Sequence, residues 1–303
     1  MKPALILAAL SALCLAGPSF AQDAGGEQPL PPPPVEEVPG IPEESGRQVP
    51  ADNLLILDTS RGRILVEMSP QAAPLHVERV RRLASEGFYD NQRFHRVIDW
   101  FMAQTGDPLS RGADRSLWGE GQSAYPDLVG EFTFRRGPEI AFAPVARPMG
   151  AVIGFMGSLP IQTQPDELMG QTGDGMVHAW GLYCPGVAGM ARGEANDSAN
   201  SQFFIMRQAY PSLDKRYTVW GRAVAGLDVV RALSFGTDPS GAVAEPDVMT
   251  QVRVASDLPE ADRPRVRVLA TDSDYFRTLV EQVRITRGAD FSVCDIDLPS
   301  EVL

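Results

Sequence analysis

Apolar and polar residues alternate along the first part of the chain in the way that strands require. In residues 63–68 every second position is apolar, which places Ile64, Val66 and Met68 on one face. An apolar run at residues 54–57 precedes them, and the turn residues between the two segments predict a β-hairpin. Further short strands are predicted at residues 88–98, 203–207, 218–224 and 250–254.

Two segments have the period of a helix instead. Residues 74–85 begin with proline and end shortly before a glycine, and their apolar side contains Leu75, Val80 and Leu83. A shorter helix is predicted over residues 227–233. Many short strands combined with two modest helices favour a closed antiparallel β-barrel.

Residues 257–303 form a C-terminal extension with one further predicted helix at residues 272–287, capped by Thr271 or Asp272. Its apolar face contains Phe276, Leu279, Val280 and Val283. A helix of this length is marginal in isolation. We therefore expect it to dock on the barrel.

The amino terminus has the pattern of a secretory signal peptide. Lys2 precedes an apolar run over residues 4–16, and Ser19 and Ala21 are the small residues of a cleavage site. The run is shorter than the roughly 20 residues of a membrane-spanning helix, so a membrane anchor is the weaker alternative. We expect cleavage of residues 1–21 and an exported, periplasmic or secreted protein without a membrane span.

Residues 22–51 are rich in proline and in acidic side chains, with four consecutive prolines at residues 31–34. Such a segment buries too little apolar surface to offset the entropy of ordering it. It is therefore predicted to be a disordered linker with polyproline-II character. A docking site for an aromatic groove is the alternative interpretation.

Charge and the scarcity of metal-binding side chains exclude several classes of protein. The chain has 39 acidic and 27 basic residues, a formal net charge of −12, which argues against a nucleic-acid partner. Its three cysteines and three histidines are not close together, so no metal site and no cofactor are predicted. After signal cleavage only Cys184 and Cys294 remain. An oxidising compartment would favour a disulfide between them, and two buried thiols are the alternative.

Three stretches carry a family resemblance. Residues 94–107 read FHRVIDWFMAQTGD, residues 195–206 read ANDSANSQFFIM, and residues 213–221 read LDKRYTVWG. Together with Gly189-Met190-Ala191 they resemble the cyclophilins, which are peptidyl-prolyl cis–trans isomerases. The resemblance covers about residues 52–135 and 184–256. It implies a mainly β fold, a closed eight-stranded antiparallel barrel capped by two helices, in a domain at residues 52–256.

The reaction of this family needs no nucleophile and no metal. Rotation about an X–Pro bond faces a barrier of roughly 18–20 kcal/mol and breaks no covalent bond. In the twisted state the prolyl nitrogen regains its lone pair, so a fixed cationic donor stabilises that state selectively. The resemblance places the catalytic arginine at Arg96.

The resemblance also implies the surroundings of Arg96. Gln104 would orient Arg96 or the substrate carbonyl, and Gln202 would line the neighbouring groove. Backbone groups for the residues before proline would come from Ala191 and Arg192. The apolar walls of the proline pocket would be Phe101, Met102, Phe204, Leu213 and Tyr217. Strand alternation predicts that His95 faces away from Arg96 and is structural.

Some positions depart from the family pattern. Tyr217 stands where many members have histidine, Arg192 where asparagine is usual, Trp100 where glycine is common and Ser212 where a tryptophan contacts cyclosporin. The resemblance also lapses over residues 136–183. This insertion contains two strand-like runs, at residues 151–159 and 177–184, and is interpreted as an inserted hairpin. It either rims the active site and contacts a client protein or packs elsewhere on the barrel.

The sequence therefore predicts an exported peptidyl-prolyl isomerase whose partners are proline-containing segments of unfolded or exported proteins. The alternative is a cyclophilin-fold chaperone or scaffold with little or no isomerase activity. A secreted hydrolase is disfavoured because no G-x-S-x-G motif with partner residues is found.

Overall fold

The computed structural model describes residues 40–303. The expected signal peptide and most of the expected linker therefore lie outside the described residues. The helices are α1 (Pro74–Ser85), α2 (Leu227–Ala232) and α3 (Asp274–Arg287). The strands are β1 (Gly46–Gln48), β2 (Leu54–Thr59), β3 (Gly62–Met68), β4 (Gln92–Arg93), β5 (Arg96–Ile98), β6 (Met102–Thr105), β7 (Phe134–Arg136), β8 (Ala143–Ala146), β9 (Val152–Met156), β10 (Leu159–Thr163), β11 (Val177–Gly181), β12 (Val187–Met190), β13 (Phe203–Met206), β14 (Val219–Ala225), β15 (Val248–Val254), β16 (Val266–Leu269) and β17 (Ser300–Val302).

The main sheet is a curled half-barrel of nine antiparallel strands, in the order β4-β15-β2-β3-β14-β12-β13-β6-β5. The expected closed, eight-stranded barrel is wrong in both closure and strand number. The segment at residues 88–98, predicted as one strand, is divided into β4 and β5. Beyond β5 lies an irregular loop at residues 235–244, which bonds to the backbone of His95 and Val97 and forms one isolated bridge, between Arg96 and Ala242. A loop of this kind cannot supply the ladder that closure needs.

Helix α1 covers one side of this sheet and has the predicted boundaries. Its Val77, Val80 and Leu83 are fully buried, whereas Leu75 is 48% exposed. Leu75 was therefore wrongly assigned to the apolar face. It lies in the first turn, where its N–H donates to Glu131 at the surface. The burial of the other side chains fixes α1 against β14 and β15.

The insertion is a five-stranded antiparallel sheet, in the order β7-β11-β10-β9-β8, rather than the expected hairpin. The run at residues 151–159 was predicted as one strand, but the chain reverses within it. Gly157 has a φ of 59° and joins β9 to β10 as a tight hairpin. Glycine adopts this backbone conformation readily, which allows two strands where the apolar run suggested one.

A third sheet joins the two ends of the described chain. Strand β16 pairs with β1 on one side and with β17 on the other. Residues 40–51, expected to belong to the disordered linker, are thus folded, with Ile41 and Val49 buried. The Ile41 N–H donates to Glu301 at 2.7 Å, which fastens this segment to β17.

Helix α3 docks on the insertion, where the barrel was expected, with Phe276 edge-on to Phe155 at 5.7 Å between ring centroids. Phe276 and Val280 are buried, as predicted. The cap is Ser273, whose hydroxyl accepts from the Phe276 N–H, and not Thr271 or Asp272. A disulfide joins Cys184, at the end of the insertion, to Cys294 in the extension.

Two further findings concern residues 40–303 as a whole. Every helix in this region is too short or too polar to cross a membrane. Within the same region, no group of three or more histidine, cysteine, aspartate or glutamate side chains could hold a metal ion.

Candidate active site

Arg96 lies half-buried on the edge strand β5 and is held at two of its nitrogens. Its Nε donates to the carbonyl of Ser240 at 2.9 Å, and one terminal nitrogen donates to Oε1 of Gln104 at 3.1 Å. Its other terminal nitrogen has no hydrogen-bond partner within residues 40–303. Burial lowers the pKa of Arg96, and Tyr217 partly opposes that effect. The guanidinium is thus fixed with one N–H edge available.

A chain of two amides sets the orientation of this arginine. Gln104 donates through Nε2 to Oε1 of Gln202 at 3.0 Å. The Nε2 of Gln202 in turn donates to the carbonyls of Gly119 and Gly121 at 2.7 and 2.8 Å. Because both Gln202 donors face carbonyl oxygens, its Oε1 must face Gln104. This order leaves Oε1 of Gln104 directed at Arg96.

A cavity of about 180 Å³ with both apolar and polar lining residues lies beside Arg96. Strands β6 and β13 place its deeper side chains, because Gln104 pairs with Phe204 and Met102 with Met206 across the ladder. Met102, Phe204 and Leu213 are buried. The lining residues are Arg96, Phe101, Met102, Gln104, Ala191, Arg192, Phe204, Leu213 and Tyr217. The structure thus brings together nine of the ten residues that the sequence assigned to catalysis and binding.

The tenth residue, Gln202, lines an adjoining cavity of about 370 Å³ together with Gln104, Ala191 and Arg192. The Ala191 N–H is already bonded to the Gln202 carbonyl at 2.9 Å. The Ala191 carbonyl oxygen can therefore accept a hydrogen bond from a peptide, but the Ala191 N–H is not available. The sequence had suggested that backbone groups of Ala191 bind the peptide. The roles of these residues in binding stay predictions.

The Arg192 side chain has a structural task of its own. Its Nε and a terminal nitrogen donate to the Arg216 carbonyl at 3.1 and 3.0 Å. Its guanidinium carbon lies 4.5 Å from the centre of the Tyr217 ring, a cation–π arrangement. Phe204 meets Tyr217 edge-on at 6.0 Å between ring centroids. Arg192 and Phe204 together hold the tyrosine as a wall of the cavity.

Sequence reasoning missed two residues of the site, Ser240 and Tyr210. The carbonyl of Ser240 holds Arg96, but a backbone acceptor in an irregular loop leaves no signal in the pattern of side chains. Tyr210 packs against Phe101 at 4.5 Å between ring centroids, and Trp100 stacks on Phe101 at 5.9 Å. Trp100 is 63% exposed, so these rings extend the apolar wall outward as a rim.

The insertion packs behind one wall of the cavity. Lys215 lies 4.4 Å from the centre of the Trp180 ring, and Tyr183 stacks on Phe204 at 5.7 Å between centroids. Gly181 lies so close to Val219 that a β-carbon there would clash at 2.8 Å. The insertion thus packs behind this wall and none of its residues lines the cavity, so a rim at the active site stays a prediction. Contact with a client protein stays a prediction.

Asp214, next to Leu213 in this wall, gives the site a pH-dependent stability. Burial raises the pKa of Asp214 to about 6, although its bond from the Tyr183 N–H lowers the pKa. Since the folded pKa exceeds the unfolded value, the stabilising effect of protonation is complete below about pH 4 and is lost as pH rises through 6. Asp214→Asn keeps an acceptor for Tyr183 without a charge.

We expect Asp214→Asn to match the wild type near pH 4 and to be more stable above pH 7. The expected gain is about 1–2 kcal/mol, after allowance for the partial exposure of the carboxylate. Urea unfolding at pH 4.5 and pH 7.5 measures it. An equal difference in unfolding free energy at the two pH values would show that Asp214 does not titrate in this range.

Comparison with known proteins gives a consistent result. A family model described as "Cyclophilin type peptidyl-prolyl cis-trans isomerase/CLD" matches residues 54–254. A probable peptidyl-prolyl cis-trans isomerase of Brucella suis is 33% identical over 211 residues, 68% of this chain and 84% of its own. The isomerase ppi1 of Schizosaccharomyces pombe is 30% identical over 63% of this chain and 91% of its own. The crystal structure of a cyclophilin from Hirschia baltica is 35% identical, has a TM-score of 0.76, and aligns over 86% of this chain and 94% of its own.

Proposed function

The chain belongs to the cyclophilin-type peptidyl-prolyl cis–trans isomerase family, and we propose that Arg96 is the residue that carries the isomerisation. The observation behind this proposal is the guanidinium fixed by Ser240 and Gln104 at the edge of the cavity of about 180 Å³, with one terminal nitrogen that has no hydrogen-bond partner in residues 40–303. A proline ring in that cavity brings its nitrogen close to this donor.

The geometry favours the twisted amide over either planar form. In a planar X–Pro bond the nitrogen lone pair is delocalised and accepts poorly. As the bond rotates, the nitrogen becomes pyramidal and accepts a charge-assisted hydrogen bond from Arg96. A donor that is already held in place costs no reorganisation during rotation. The stabilisation therefore applies mainly to the transition state, which is the condition for a faster rate.

The cavity wall and the amide chain have supporting roles in this mechanism. Phe101, Met102, Phe204 and Leu213 surround the proline ring with apolar surface and leave the preceding carbonyl to rotate. Gln104 and Gln202 position Arg96 through their relay to the carbonyls of Gly119 and Gly121. No protein group has to gain or lose a proton.

Exchange NMR on a short Ala-Pro peptide tests the activity. Uncatalysed exchange takes tens to hundreds of seconds, so cis–trans cross-peaks on a sub-second mixing time require an enzyme. We expect cross-peaks at substoichiometric protein. A peptide spectrum unchanged by the protein would favour the alternative of a scaffold with a cyclophilin fold.

We further propose that the clients are proline-containing segments of exported proteins. The pattern of residues 1–21 supports export, and the disulfide between Cys184 and Cys294 is consistent with an oxidising compartment. Mass spectrometry of the protein from a periplasmic fraction is expected to find a chain that starts at Gln22. Recovery of only the uncleaved chain from the cytosol would contradict this placement.

A further inference from the structure

A second and larger cleft lies beside Arg96. Its volume is about 630 Å³, compared with about 180 Å³ for the proline cavity, and the two share Arg96 and Gln104. One wall is the loop at residues 235–244, whose Ser240 carbonyl holds Arg96. The opposite wall is the turn that contains Arg115 and Trp118. A peptide whose proline occupies the cavity at Arg96 can therefore extend into this cleft.

The cleft is positively charged although the protein is acidic. Arg115 is exposed, and no carboxylate lies within salt-bridge distance of it in residues 40–303. Its guanidinium carbon is 5.1 Å from the centre of the Trp118 ring. Arg96 adds a second cation from the inner wall. These charges contrast with the formal net charge of −12 for the whole chain.

Asp238 is the carboxylate that lines this cleft within residues 40–303. The hydrogen bonds of its carboxylate are made to Ser240 and not to Arg115. It accepts from the N–H of Ser240 at 2.8 Å and from the Ser240 hydroxyl. These bonds occupy one oxygen of Asp238 within its own turn, and Asp238 forms no salt bridge with Arg115. Arg115 is therefore available to an anionic group of another molecule.

The remaining walls of the cleft include apolar ring surface that can contact the methylene groups of a client side chain. Trp118 is half-buried and Phe235 is 48% exposed, and both present ring surface to the cleft. His95, which strand alternation was expected to turn away from Arg96, lines the same cleft. It is only 6% exposed, and neither of its ring nitrogens is hydrogen-bonded. Burial lowers the pKa of His95, so it adds no charge at neutral pH. A side chain with an apolar stem and an anionic head matches such walls with a cation at the rim.

We propose that this cleft is a specificity subsite for an acidic side chain of the client segment, with Arg115 as the cation that binds its carboxylate. The proposal rests on the proposed isomerase function, because the client's proline must occupy the cavity at Arg96. It assigns Arg115 a role in substrate choice and none in the rotation itself.

Peptides that differ at one position test the subsite. Glu, Gln or Lys is placed in turn at each of the three positions on either side of an Ala-Pro pair, and kcat/KM is measured by exchange NMR. We expect one position at which the wild type prefers Glu to Lys by about three- to tenfold, an effect that shrinks in high salt. Arg115→Glu is expected to reverse that preference, and Arg115→Gln to abolish it.

Arg147→Glu provides the matched control, since it makes the same charge change at an exposed arginine that lines neither the cleft nor the proline cavity. It should leave the ranking of the peptides unchanged. The Gln peptides separate the two proposals. If neither the wild type nor any variant accelerates isomerisation of the Gln peptides, the proposed isomerase function is wrong. If all variants accelerate them equally but the wild type never distinguishes Glu from Lys, or Arg147→Glu reverses the ranking as well, the subsite is overturned.

Discussion

Replacing Arg96 with alanine is expected to lower kcat/KM for X–Pro isomerisation by about ten- to a hundredfold. The lost interaction is a charge-assisted hydrogen bond to the prolyl nitrogen, worth roughly 1.5–3 kcal/mol, and each 1.36 kcal/mol is a factor of ten in rate. The loss should fall on kcat rather than on KM, because the bond forms mainly in the transition state. Exchange NMR at several peptide concentrations separates the two constants.

Arg96→Lys distinguishes the fixed donor from positive charge alone. Lysine keeps the charge but has a single terminal nitrogen, which cannot bond Ser240 and Gln104 and still face the substrate. We therefore expect an activity much closer to that of Arg96→Ala than to the wild type. Unchanged melting temperatures would show that both variants are folded. Wild-type activity in the alanine variant would remove Arg96 from the mechanism.

The parts of the fold that the sequence predicts correctly are those determined by neighbouring residues. Helix α1 begins at a proline and ends before a glycine, and the hairpin of β2 and β3 has a short turn between two patterned runs. The lining residues of the cavity could also be predicted, because they occur in sequence motifs whose spacing reflects the pairing of strands. The β6–β13 ladder then brings Gln104 opposite Phe204.

The remainder depends on contacts between distant segments. Whether the sheet closes is decided by the loop at residues 235–244, which makes a few backbone hydrogen bonds around Arg96 and Val97 but forms no strand of its own. The insertion contains more strands than predicted because the chain reverses direction at Gly157, within an apolar run that has the pattern of a single strand. Residues 40–51 fold because β16 and Glu301, more than 200 residues away, offer them partners. The amino-acid composition of residues 40–51 does not reveal that β16 and Glu301 will bind them.

The same dependence on distant contacts makes the disulfide the strongest single constraint on the insertion and extension. Its cysteines are 110 residues apart, and opening a loop of that length costs about 4–5 kcal/mol of unfolding free energy in the chain-entropy model. Measured losses for native disulfides are about 2–5 kcal/mol. We expect the double variant Cys184→Ser/Cys294→Ser to lose stability within that range, as measured by urea unfolding without reductant.

The rate of isomerisation should respond less than stability does, because Arg96 and its partners lie on β5, β6 and the loop at residues 235–244, and not in the insertion or the C-terminal extension that the disulfide joins. Cys184 nevertheless follows Tyr183, which stacks on Phe204 at the back of the proline cavity. Loosening this support should raise KM by a few fold while leaving kcat nearly unchanged. Reductant supplies the control, since it should destabilise the wild type to the level of the double variant and leave the variant itself unaffected. Equal urea midpoints for the oxidised wild type and the variant would mean that the extension is held to the insertion by packing alone.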